Sequence, residues 1–275
     1  MDVPPFSLWR FLNMDLHKMM TTGEGIEQLK DNLLDLDSEF RFKCRRCGKC
    51  CVHQDTILLN TRDIYNIAKK QGRTMRDVVE SYTEVYIGKN SRIPVIHLLS
   101  NGPKGACPLL VDGRCSVHDC KPTVCALFPL GRVVAGKKPG EPITAIEDMQ
   151  VRYILNDISC GSAKRVNTVR SWLAKFGIPE RDEYHLLWTK TTMHLTEAIW
   201  QMEKLHCPER VLSSVWDIIF NLLYLDYDTS MDLMPQFQAS ADKLMELSKG
   251  LEKVCSDVES AVKDALTQPA AAEVS

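Results

Sequence analysis

The chain has 275 residues, 44% of them hydrophobic, and its 34 lysines and arginines nearly balance 36 aspartates and glutamates. That length suits one fairly large domain, or a smaller domain with an extension, and the near-neutral charge gives no global argument for nucleic acid or an anionic membrane. No apolar run approaches the roughly 18–20 residues needed to span a bilayer, and eleven cysteines without an export signal point to thiolate ligands in a cytoplasmic chain rather than a disulfide framework.

The opening stretch, MDVPPFSLWRFLNMDLHKMM, does not read as a signal peptide, because prolines come first, charges interrupt it and no small-residue cleavage site follows. Phe6, Trp9, Phe11 and Leu12 crowd together within residues 1–23, as expected of an arm packed on the body of the protein or on a partner. Residues 26–40 are predicted to form a helix, with Ile26, Leu29, Leu33, Leu34 and Leu36 on its apolar face.

The next segment, FKCRRCGKCC at 42–51, places Cys44, Cys47, Cys50 and Cys51 in a Cys-x-x-Cys-x-x-Cys-Cys run around Gly48. So tight a turn brings thiolates within reach of one metal ion or cluster. Glycine can take the positive φ such turns often need, and backbone N–H groups are left to donate to the sulfurs. Arg41, Lys43, Arg45, Arg46 and Lys49 surround the run, with no acidic residue between 41 and 51. That setting lowers thiol pKa and offsets thiolate charge. Spacing of this kind reads as a metal site in an intracellular chain.

Ile57–Leu59 is a short apolar segment. Thr61 reads as the N-cap of a helix that carries Ile64, Ile67 and Ala68 and ends at Gly72. A second helix, from beyond Thr74 to Gly88, carries Met75, Val78, Val79, Tyr82 and Val85. Residues 93–99 read as a strand, with His97 in the core or at its rim. The second cysteine stretch is ACPLLVDGRCSVHDCKPTVCALFPL, 106–130. Its Asp112-Gly113 pair signals a hairpin, which sets Cys107 and Cys115 near each other on paired strands. Pro122 suits the first turn of a short helix whose next turn holds Cys125 and which Phe128-Pro129 ends. Two strands, at 130–135 and 143–155, flank a Gly/Pro/Lys-rich loop, and Cys160-Gly161 follows.

The remainder is helical by period. A short helix over 167–176 ends at Gly177, and 181–205 carries Trp188, Leu195, Ile199 and Met202 on one stripe. Residues 211–225 are apolar nearly all round and read as a buried helix. Leu244, Leu247, Leu251, Val254, Val258, Ala261 and Ala265 form a heptad seam that implies packing on another helix, of this chain in preference to a partner. Cys207 and Cys255 read as plain thiols away from the cysteine runs.

The order Cys-x-x-Cys-Gly-x-Cys-Cys, a Thr-x-Asp helix, Cys-Pro-Leu-Leu with a turn, Cys-x-x-His, Lys-Pro-x-x-Cys, Phe-Pro and a later Cys-Gly resembles, over about residues 42–175, the YkgJ-like cysteine-cluster family. That family is described as zinc- or iron-chelating, and flagellin lysine methylase looks like a relative. The resemblance implies eight metal ligands: Cys44, Cys47, Cys50, Cys51, Cys107, Cys115, Cys125 and Cys160. His118 falls where the family usually shows Tyr or His. Cys120 and Lys121 stand where it commonly has a residue followed by Arg before the proline, which makes Cys120 an extra thiol. His53 and His118, within three residues of cysteines, are candidate ligands or hydrogen-bond donors to them.

Eight thiolates admit several stoichiometries. Cys44, Cys47 and Cys50 plus one remote thiolate suit a 4Fe-4S iron–sulfur cluster, as the ferredoxin-type run does. Two tetrahedral four-thiolate Zn2+ sites would use all eight equally well. Adjacent Cys50 and Cys51 point in different directions in most backbone conformations, so they serve two centres more easily than one ion. The ferredoxin spacing inclines the reading to iron–sulfur, with zinc close behind.

The expected fold is α+β. A small loop-rich metal-binding domain with short strands and helices (41–176) follows an N-terminal arm and helix (1–40) and precedes an all-helical extension (177–266) and a disordered tail (267–275). The expected function is metal binding. The resemblance adds the alternative of a cluster-dependent enzyme such as a protein-lysine methyltransferase, and metal storage or delivery is a third reading. No glycine-rich strand–turn–helix fingerprint supports a methyltransferase. Gln54 stands where a radical enzyme's third cysteine would follow Cys47 and Cys51. No Ser/His/Asp set or paired acids point to hydrolysis, and the scarcity of aromatics among the basic residues argues against nucleic acid. The helical extension is expected to meet a protein partner or protein substrate.

Overall fold

The computed structural model describes residues 33–52, 57–102, 105–136, 145–156 and 160–267. The amphipathic arm, the first part of the 26–40 helix, His53, most of the Gly/Pro/Lys-rich loop and the last eight residues lie outside these. The fold is α+β, with short strands in small sheets and a helical C-terminal stretch.

Strand β1 (Leu33–Leu34) and strand β2 (Glu39–Lys43) replace the helix expected across 33–40. The residues between them make a side-chain-locked turn, in which Asp35 Oδ1 accepts from the Ser38 hydroxyl at 2.8 Å and from the Ser38 amide at 2.9 Å. Such local bonds compete with a helix. From Glu39 the period is two: Phe40 and Phe42 are buried while Glu39, Arg41 and Lys43 face water. Strand β3 (Leu58–Leu59) precedes helix α1 (Thr61–Gln71). The cap of α1 is Asn60 rather than Thr61, in a capping box with Asp63, and Gly72 closes the helix at φ 62°. Thr61 instead turns its hydroxyl to the Leu223 carbonyl.

Helix α2 (Met75–Tyr82), capped by Thr74, ends a turn and a half before the expected Gly88. Thr83 bonds back to the Val79 carbonyl at 2.7 Å, and Thr83–Ile87 becomes strand β4, paired with β5 (Pro94–Leu98). Val85 thus belongs to a sheet of order β3-β5-β4. His97 sits at its rim, near Glu84 and against the Tyr86 ring. Asp112 and Gly113, at φ 49° and 71°, form the expected hairpin between β6 (Leu110–Val111) and β7 (Arg114–Cys115).

Helix α3 (Thr123–Leu127) leads into β8 (Leu130–Gly136), which pairs with β9 (Met149–Leu155) and, through it, with β1. Strand β10 (Ser162–Thr168), which the residue pattern did not announce, pairs with β2 across a register shift. Thr168 then caps helix α4 (Val169–Lys175).

Helix α5 (Glu183–Lys204) is followed by α6 (Glu209–Phe220), a π-helical turn at Asn221–Leu225 and the long α7 (Leu233–Thr267). Helix α6 is not buried all round: Leu212, Val215 and Ile219 face in, while Val211 and Ile218 are exposed. Helices α5 and α7 run parallel, since Tyr184 meets Phe237 near their starts and Cys255 feels the Cys207 thiol near the end of α5. The buried stripe of α7 is Phe237, Ala241, Leu244, Ser248 and Cys255, with Leu247 and Leu251 half-buried. Val254 and Val258, expected in the seam, are 60% and 44% exposed. They lie level with or beyond the end of α5, where its packing face runs out. No helix among the described residues is long and apolar enough to cross a membrane.

Two principal cores result. One joins α1, α2, β5 and the C-terminal helices; the other gathers Phe40, Phe42, Leu127, Leu130, Tyr153 and Trp172. Asp182 ties elements from both sides. It accepts from Arg62 of α1 at 2.8 and 2.6 Å and from Arg132 of β8 at 3.0 Å. Burial opposes its ionisation, but the two guanidiniums outweigh that and hold the carboxyl at about 2. For both arginines burial is the largest influence; the carboxylate overcomes it at Arg62 but not at Arg132.

A carboxyl lowered on folding stabilises above its ordinary pKa and loses that contribution as pH falls through the folded value. Asp182 therefore contributes about 2 kcal/mol at neutral pH, lost between roughly pH 4 and pH 2. Asp182→Asn is expected to cost about 3 kcal/mol in urea denaturation at pH 7, by leaving two buried guanidiniums uncompensated. The variant should also show less loss of stability than the parent over that acid range.

Candidate metal centre

The cysteine run is a surface loop shaped by its backbone. Arg46 and Gly48 take positive φ, 52° and 71°, and the Cys51 amide donates to the Gly48 carbonyl at 2.8 Å, which starts a 3-10 turn over Lys49–Cys51. Left-handed residues in such a turn aim amides at one side. The Arg46 amide accordingly donates to Cys44 Sγ at 3.4 Å, a contact of the kind that tunes thiolate-bound centres. Cys44, Cys47 and Cys50 are exposed, and Cys51 is half-buried.

Three other segments bring thiols to this loop. The Cys51 carbonyl accepts from the Cys107 amide at 2.8 Å, and Val52 bridges Ala106, so the two cysteine stretches are joined as a short ladder. The β6–β7 hairpin carries Cys115 toward Cys107 and rests its Gly113 carbonyl near Gly48. Cys125 comes from α3, whose start is fixed by Asp63 of α1: its Oδ1 accepts from the Thr123 amide at 2.8 Å and the Thr123 hydroxyl at 2.7 Å. Asp63 is fully buried, which raises its pKa, and the Thr123 bonds offset part of that rise. The Thr-x-Asp pattern thereby acquires a physical role: it sets the helix that holds a thiol.

Cys160 precedes β10 and arrives beside the run. Gly161 is required there, because at φ 77° an added Cβ would stand 2.4 Å from Phe42 Cε2 and 2.9 Å from the Lys43 carbonyl. Cys51 and Cys160 stand beside Cys50. The Cys51 contact, with help from Lys121, holds Cys50 at about 6 against its burial and raises Cys51. Cys50 keeps exposed surface even so, since one side of its loop faces water. Burial lifts Cys160 to about 11, assisted by Cys50, Cys47 and Cys44. Burial also raises Cys107 and, more strongly, Cys125.

All eight expected cysteines therefore lie in one neighbourhood, at the seam of the two cores: Cys107 and Cys115 pack against the first and Cys160 against the second. Cys120 adjoins Cys115 and Asp119, and its neighbour Asp119 is paired with Lys70. His118 is half-buried and kept below its ordinary pKa by burial and then by Lys121 and Arg46. Cys207 and Cys255 are near each other on the helical side. Among the described residues, no three Cys, His, Asp or Glu side chains converge closely enough to hold an ion as they stand. The donor set nonetheless fits a thiophilic metal. Neighbouring thiols, one with depressed pKa, surrounding cations and an amide aimed at sulfur are what a thiolate-bound zinc or iron centre requires.

Asp63 and Gly161 are visible in the sequence only as members of the Thr-x-Asp and Cys-Gly motifs, because their roles depend on contacts with Thr123 and Phe42 that are distant in the chain. Gly161→Ala is expected to destabilise the fold by about 2 kcal/mol through strain and overpacking and to lower metal bound on purification. Urea denaturation and elemental analysis check this, and an unchanged protein would contradict it.

No curated protein and no solved structure matches the chain. Residues 43–150 match the model of a family described as "CxxCxxCC: Putative zinc- or iron-chelating domain". The match takes in seven of the eight expected cysteines, with Cys120 as an eighth thiol, and ends before Cys160, a narrower span than the resemblance suggested. It supports a metal-binding role. Over residues 43–150 the chain is thus similar to this zinc- or iron-chelating family.

Proposed function

We propose that this protein binds metal through two neighbouring groups of thiolates, with an iron–sulfur cluster in the first. Cys44, Cys47, Cys50 and Cys160 form that first group; Cys51, Cys107, Cys115 and Cys125 form the second. The observation that carries the reading is the arrival of Cys160, more than a hundred residues away, beside Cys44, Cys47 and Cys50. Three closely spaced thiolates and one remote thiolate are the donor set of a four-iron cluster. The second group rests on the Cys51–Cys107 ladder, with Cys125 near Cys51 and Cys115 near Cys107. It suits tetrahedral zinc.

When bound, the first metal group supplies electron transfer or Lewis acidity at the surface, and the second supplies folding free energy. The residues of this chain orient the thiolates, offset their charge through Lys49 and Lys121, and offer amides to sulfur. The exposure of Cys44, Cys47 and Cys50 favours a second reading, metal delivery, in which the first group exchanges its metal readily.

Serine substitution separates these assignments. Cys44→Ser, Cys47→Ser, Cys50→Ser or Cys160→Ser should each lower bound iron, whereas Cys207→Ser and Cys255→Ser should leave metal content at the parent level. Iron content unaffected by Cys160→Ser would overturn the first group. Under the delivery reading, a thiol chelator should strip the first group within minutes in a native protein, and resistance over hours would remove that reading.

A further inference from the structure

Beside the thiols lies a concentration of positive charge larger than they require. Lys121 and Lys175 set their ammonium groups 4.2 and 5.2 Å from the Phe176 ring, and Lys175 also lies 4.4 Å from the Trp172 ring. Burial and then the charges of Arg165, Lys121 and Arg46 push Lys175 below its ordinary value against the opposite pull of Cys44, so four cations share one small region beside that thiol. None of the four has an ion-pair partner among the described residues. The β2–β10 pair continues the patch, since Arg41 and Lys43 on one strand and Lys164 and Arg165 on the other are all exposed.

Lys49, Lys121 and Lys175 face thiols and have a local purpose in offsetting them. Arg165 and Lys164 lie on the exposed strand, and like charges held together without counter-ions among the described residues cost free energy that a fold has no internal reason to bear. We infer that this rim is a docking surface for an acidic segment of a partner protein, which would sit across the mouth of the thiol loop. A long polyanion fits less well. The chain carries a net charge of -2, so the surface away from the patch is net negative and repels one. The aromatic rings in the patch, Trp172 and Phe176, are already covered by lysines and offer no free face for base stacking. The inference is independent of which metal the thiols hold.

The test uses the full metal-loaded chain, a fluorescent peptide of consecutive glutamates, a glutamine peptide as control and a single-stranded oligonucleotide of equal charge. The glutamate peptide is expected to bind, the glutamine peptide not, and binding should weaken as salt rises. Arg165→Glu with Lys164→Glu, both exposed on β10, should weaken it by about tenfold, with metal content and far-UV circular dichroism unchanged. Should the double variant disturb the β2–β10 pairing, Arg165→Glu alone carries the comparison through a smaller loss. Absence of peptide binding at low salt, equal binding by the Arg165 variant, or tighter binding of the oligonucleotide would each overturn the proposal.

Discussion

Residues 44–51 have to serve two apolar cores at once. Phe42 anchors the loop in one core, edge-on to Phe128 and Trp172, and the Cys51 carbonyl anchors it to Cys107 on the side of the other. Eight residues between these anchors leave no slack, so the left-handed backbone at Arg46 and Gly48 is what lets the chain reverse within the distance available. Cys50 then falls at the centre, within electrostatic reach of Cys51, Cys107, Cys125 and Cys160. The hairpin, α3 and the start of β10 are arranged around that point.

The electrostatics on the two sides of the seam are built differently. At Asp182 the charges are complementary and buried, and the carboxylate is satisfied by two arginines and the Arg62-side packing on Tyr184. At the thiols the protein leaves its charges unfinished: cations gather, burial keeps protons on the raised sulfurs, and the neighbourhood of Cys51 and Lys121 favours charge on Cys50. A thiophilic metal resolves both features, because it displaces protons from the raised thiols and balances the negative charge that results. Its binding free energy would then also hold the two cores together.

Much of this was legible from residue types. The cysteine spacing, the Asp-Gly hairpin, the Thr74 cap and the Gly72 and Gly177 stops are local signals, and local chemistry decides them. The same was not true where a segment's partner lies far away. Residues 33–40 carry leucines at spacings that suit a helix, yet Leu33 and Leu34 pair with Ile154 and Tyr153, and the Asp35–Ser38 turn blocks helix propagation. Residues 83–87 follow a good helix and are captured by β5. The exposed β10, with Lys164 and Arg165 in it, has almost no apolar pattern and exists because β2 pairs with it. In α7 the heptad spacing fits more than one stripe, and the length of α5 decides which part of it is covered.

The most direct measurement is iron, zinc and acid-labile sulfide analysis, with a visible spectrum, on protein purified without oxygen. The two-group arrangement predicts a brown protein with four irons and matching sulfide, accompanied by zinc. A colourless protein with neither iron nor zinc would contradict metal binding itself, and zinc alone would contradict the iron–sulfur assignment of the group that Cys160 completes.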